Sequence, residues 1–163
     1  MTGSLWSLAI ALAIFIGIHL TPAVPGLRAA LIGALGRLPY RGLFSLIAVC
    51  GLVWIVFAHM DAPYVALWDA PGWTWLIPLA VIPLALMLVA GERSPGMRKI
   101  TRHPMLWSVL LWAAAHIAPN GDAASLMLFG AFALFAVIDQ PLADARMRRE
   151  EPEAWAEKSA TSS

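Results

Sequence analysis

Few side chains in this sequence could do chemistry, and most of them are imidazoles. There are four histidines and one cysteine. His19, His59 and His116 stand in apolar stretches, where an ionisable group is costly to bury and is a functional candidate by default. A neutral imidazole ligates haem iron or another metal, and membrane bundles hold a haem with histidines from different helices. The same placement also suits an imidazole that snorkels to an interface. His116 has the richest surroundings: Trp112 lies one turn earlier on the same face, and Asn120-Gly121-Asp122 follows Pro119. Together these read as a helix exit, but Asn-Gly also makes an ordinary tight turn, so the competing reading is that Asn120 and Gly121 simply reverse the chain between two short helices.

His103 lies in Thr101-Arg102-His103-Pro104, which reads as a helix start with proline in the first turn. A helix N-terminus beside Arg102 is suited to an anion, such as a haem propionate, a phosphate or the carboxylate of S-adenosylmethionine. The competing reading is a cap with stop-transfer charge. Cys50 sits in mid-helix among apolar neighbours and is expected to be a buried small hydrophobe. A single cysteine excludes an internal disulfide and any Cys-rich zinc or iron–sulfur site. There is no G-x-G-x-x-G after a strand, no P-loop, no G-x-S-x-G and no H-E-x-x-H, so Rossmann, NTPase, hydrolase and zincin chemistries have no support. No catalytic residue is assigned.

The elements that would position these groups are membrane helices. The 163 residues are 60% hydrophobic and 13% charged, and the mean hydropathy is +0.74. A spanning helix needs roughly 17 to 25 mostly apolar residues. Leu5 to Leu20, Gly42 to His59 and Trp73 to Gly91 meet this without an Asp, Glu, Lys or Arg. Met105 to Ala118 and Ser125 to Ile138 are shorter, and charge placement decides that they also cross. With five crossings, all eleven Lys and Arg residues fall on one side, as the positive-inside rule expects. Arg28, Arg37 and Arg41 follow the first segment. Arg93, Arg98, Lys99 and Arg102 follow the third, and Arg146, Arg148, Arg149 and Lys158 follow the fifth. The outer loops carry only Asp61, Asp69 and Asp122.

The expected fold is therefore all-α: a polytopic bundle of about five transmembrane helices, N-terminus outside and C-terminus cytoplasmic, in the bacterial inner membrane. Residues 1–140 form the bundle, and 141–163 form a cytoplasmic amphipathic helix with a mobile Ser-Ala-Thr-Ser-Ser end. The segment 1–22 lacks the positive n-region of a signal peptide and reads as a retained helix. Trp6, Tyr64, Trp68, Trp73 and Trp75 suit the outer interface, Tyr40 and Trp107 the inner one. Trp54 and Trp112 are expected to pack deeper. Pro78 and Pro83 are expected to kink the third segment, and Asp139 to end the fifth. Ten acids balance the basic residues, so nucleic acid is not an expected partner. The expected partners are the lipid bilayer and a lipophilic small molecule reached from within it; oligomeric state is left open.

His19 with Arg28, Tyr40-Arg41-Gly42-Leu43-Phe44-Ser45, Thr101-Arg102-His103-Pro104-Met105, Leu111-Trp112-Ala113-Ala114-Ala115-His116, Asn120-Gly121-Asp122 and Phe129-Gly130 resemble the signature of the NnrU family across most of the chain. The resemblance implies a membrane protein associated with nitrite and nitric oxide respiration. It also implies kinship with the plant-type cis-zeta-carotene isomerase, a haem b enzyme whose two haem-ligating histidines match His19 and His116. On that basis His19 and His116 are the expected metal ligands, with Arg28, Arg102 and His103 as further cofactor contacts. The isomerase's extra ligand-site cysteine is Ala113 here. A weaker similarity, through Arg102-His103-Pro104, runs to isoprenylcysteine-type S-adenosylmethionine methyltransferases. The following Met105-Leu106-Trp107-Ser108 departs from that family's pattern. The functions in view are a haem-dependent isomerase or redox protein, a non-enzymatic accessory factor for nitrite or nitric oxide respiration, and a membrane methyltransferase.

Overall fold

The computed structural model describes residues 3–161, apart from the side chains of Pro95, Arg98, Glu157, Lys158 and Thr161. Met1, Thr2, Ser162 and Ser163, the last two being the tip of the expected mobile tail, lie outside the described residues. Those residues are all-helical, with no β-strand beyond an isolated bridge between Ala66 and Asp122. The chain forms two compact units, residues 1–65 and 66–163.

The first unit holds α1 (Leu5–Leu20), α2 (Leu27–Leu35) and α3 (Arg37–Asp61). Ser4 caps α1 by accepting the Ser7 N–H at 3.3 Å, which satisfies one of the donors a helix start leaves open. The stretch between the first two expected spans, residues 21–41, is itself largely helical. Gly26 and Gly36 have φ of +79° and +86°, a left-handed region that glycine enters without Cβ strain. They bend the chain sharply into and out of α2. α3 then starts at Arg37 rather than Gly42, because Pro39 falls in its first turn, where a missing N–H costs nothing. α1 packs on α3. A Cβ on Gly51 of α3 would lie 3.2 Å from the Phe15 ring of α1, so the absent side chain makes room for that ring.

The second unit holds α4 (Leu76–Ala90), α5 (Pro95–Ile100), α6 (Pro104–Ile117), α7 (Ala123–Glu150) and α8 (Pro152–Thr161). α6 packs against both α4 and α7. Pro78 does not interrupt α4, since it sits in the first turn; only Pro83 is interior. The fifth apolar segment is longer than its sequence suggests. α7 runs for 28 residues through Pro141, so the expected tail helix begins as the last turns of α7 and resumes at Pro152. Asp139 consequently lies inside a helix rather than at its end. Asp122 starts α7, its carboxylate accepting the Ser125 N–H at 2.9 Å.

Four helical stretches are long and apolar enough to cross a membrane: Leu5–Ala23, Arg37–Asp61, Gly72–Ala90 and Ala123–Glu150. α6, with 14 residues, rises about 21 Å against a hydrocarbon core of about 30 Å. The distribution of side chains is that of a lipid-solvated protein. The buried apolar positions are mostly alanine (Ala11, Ala58, Ala85, Ala113, Ala115, Ala124 and Ala136), while leucine, valine and tryptophan crowd the surface. Small residues let helices approach closely where lipid, not water, is the alternative neighbour. Two expectations fail on this surface: Cys50 is exposed, and Trp54 faces outward with 41% of its surface exposed.

Candidate functional site

His19 closes α1 in the first unit. Its Nδ1 lies 2.8 Å from the Phe15 carbonyl oxygen, one turn back. A carbonyl oxygen only accepts, so Nδ1 carries the proton and, in the neutral ring, Nε2 carries the lone pair. The Phe15 ring lies tilted over the imidazole with centroids 4.1 Å apart, and Phe44 of α3 meets it edge-on at 5.4 Å. Gly51 bears on this arrangement through the room it leaves for Phe15.

His116 closes α6 in the second unit and repeats the pattern. Its Nδ1 lies 2.7 Å from the Trp112 carbonyl oxygen, which fixes the same tautomer. The ring stacks on Phe129 of α7 at 4.8 Å and 19°, with Trp112 at 5.6 Å. Trp112 in turn meets Phe129 and Phe132 edge-on at 5.3 and 5.6 Å. Both histidines thus follow the pattern aromatic-x-x-x-His in the last turn of a helix, donate Nδ1–H to the aromatic residue's own carbonyl, and are half-buried among rings. The spacing of Phe15 and His19 is visible in the sequence; the packing of Phe44, Phe129 and Phe132 is not. His59 lies in the last turn of α3, also half-buried.

The turn beyond His116 is tied down by residues far away in sequence. Asn120 Nδ2 donates to the His116 carbonyl at 2.8 Å, and Trp68 Nε1 donates to the Ala118 carbonyl at 3.2 Å. The Gly121 carbonyl accepts the N–H groups of Leu67 and Trp68 at 2.7 and 3.2 Å. Orphan carbonyls of the α6 terminus therefore find donors. Gly121 is buried, and a Cβ there would collide with the Trp68 carbonyl oxygen. The Asn-Gly pair is both a tight turn and a docking point.

At the other end of α6, Arg102 and His103 do face an anion, but the anion belongs to the chain. His103 Nε2 donates to Asp144 Oδ1 at 2.7 Å, and Arg102 Nε stands 3.5 Å from Asp144 Oδ2. The latter is a charge contact only, since Arg102 Nε is buried with no hydrogen-bond partner among the described residues. Trp155 of α8 receives two guanidinium groups on its ring, Arg148 at 4.5 Å and Arg102 at 5.7 Å. No sequence signal links Asp144 to this corner across 41 positions. Arg28, the remaining expected contact, lies on α2. Among the described residues no three His, Cys, Asp or Glu side chains are placed to hold a metal ion.

Long lipid-facing helices, a small-residue interior and helix-end histidines define a polytopic helical membrane protein. The chain belongs to the NnrU protein family, whose family model matches residues 7–163. No curated protein sequence and no solved structure shows significant similarity to it.

Proposed function

We propose that this NnrU-family membrane protein would bind haem b through two histidines, His19 and His116, and act as an isomerase or redox protein on a lipophilic substrate. The observation that carries this is the shared tautomer lock: each imidazole donates Nδ1–H to the carbonyl one turn back, at 2.8 and 2.7 Å. This is the orientation in which histidine serves as a metal ligand, because the hydrogen bond fixes the ring and raises the basicity of Nε2. When bound, a haem supplies one-electron or Lewis-acid chemistry at its iron. The chain's own residues hold the imidazoles by these hydrogen bonds and pack aromatic rings against them. The methyltransferase reading is weakened by Asp144, which already meets both Arg102 and His103.

Protein purified in detergent with haem supplied is expected to show a Soret band and the spectrum of a six-coordinate low-spin haem. His19→Ala or His116→Ala should abolish it or turn it five-coordinate, and His59→Ala should leave it nearly unchanged. Folded, inserted protein that takes up no haem would sink the proposal. Bound S-adenosylmethionine would then favour the methyltransferase, and the absence of both the accessory factor.

A further inference from the structure

The elbow between α1 and α3 has an unusual composition for a surface segment. α2 spans nine residues with none buried, about 14 Å of helix and too short to cross a bilayer. Its single charged residue is Arg28, and Leu27 and Leu35 at its two ends are exposed. Leu38, in the first turn of α3, is 79% exposed. The glycine bends at 26 and 36 set this apolar helix between the end of one helix that is long and apolar enough to span, Leu5–Ala23, and the arginine-bearing start of another, Arg37–Asp61. At such an end the hydrocarbon boundary is adjacent, so lipid is the cover at hand for these leucines.

Charge identifies the lipid. Arg37 and Arg41 lie four apart in the first turns of α3, on one face of the helix. Both are exposed, and neither forms an ion pair among the described residues. Residues 1–60 contain no Asp or Glu, so the sequence around them supplies no internal counter-ion. Two guanidinium forks at this spacing match the oxygens of a phosphodiester. We propose that the α2 elbow is a binding site for an anionic phospholipid, whose headgroup phosphate is held by Arg37 and Arg41 while its acyl chains cover α2 and Leu38. The inference is independent of the haem reading.

The test uses the full chain in nanodiscs of phosphatidylcholine with or without phosphatidylglycerol. In a Cys50→Ser background, a single cysteine replaces Ala30 and carries a bimane label. The label should be quenched by lipids bearing a shallow doxyl group and shielded from aqueous iodide. Native mass spectrometry should find retained phosphatidylglycerol, falling by about tenfold or more in R37Q/R41Q and recovering only in part in R37K/R41K, which keeps the charge but not the fork. Quenching of the label by iodide but not by lipid would overturn the proposal and mark α2 as a surface for a water-soluble partner. Retention of phosphatidylglycerol unchanged in R37Q/R41Q, with the variant folded by circular dichroism, would also overturn it.

Discussion

Asp144 meets two basic side chains at once. It accepts a 2.7 Å hydrogen bond from His103 and faces Arg102 at 3.5 Å, with only 16% of its side chain exposed. Hydrogen bonds to charged groups contribute about 1.5–3 kcal/mol, so Asp144→Ala is expected to lower stability in detergent by about that amount, read as a drop in thermal midpoint. His103→Ala should destabilise less than Asp144→Ala, because it removes one of the two contacts and leaves the carboxylate facing Arg102. Equal losses in the two variants would show that Arg102 contributes nothing through this carboxylate.

Among the elements, two glycines make opposite demands. Gly121 stands where a Cβ would strike the Trp68 carbonyl, whereas Gly130, inside α7, has open space around the same position. Gly121→Ala should therefore cost about 1–3 kcal/mol by overpacking. Gly130→Ala should be neutral or stabilise by about 0.5–1 kcal/mol, because alanine restricts the unfolded chain and favours helix. Thermal unfolding of the two variants side by side checks the pair. The sequence shows α1, α3 and α4 plainly, because unbroken apolar runs are what a bilayer selects. It conceals α2, whose ends are set by glycine bends that hydropathy does not register. It also conceals the reach of α7, since Pro141 and the charges after it read as a stop while alanine, arginine and methionine carry the helix on. The histidines are legible as polar residues in apolar runs, and their aromatic partners one turn back can be counted off. Asp144, Phe44 and Phe129 reach their partners only through tertiary packing, which leaves no local trace.

For the molecule as a whole, the distribution of arginine and lysine predicts sidedness. Reporter fusions after Arg41 and after Lys99 are expected to lie in the cytoplasm, and fusions near Asp69 and Asp122 outside it. Lys99 lies in α5 and Asp122 at the start of α7, so this pair of fusions asks whether α6 crosses despite its 14 residues. Both reporting from the same side would make α6 a re-entrant helix and remove one crossing from the five expected.

The seam that holds Leu67 and Trp68 against Ala118 and Gly121 has a consequence in time. Trp68 and Ala118 are 50 residues apart, and a ribosome adds roughly 5–20 residues per second. For several seconds of synthesis, Leu67 and Trp68 exist without the carbonyls that will receive their donors. During that interval water or a chaperone must satisfy Leu67 and Trp68. The segment around Leu67 and Trp68 therefore sets only after Gly121 has been made, and a chain arrested before Ala118 would be expected to show it open to protease while the completed chain does not.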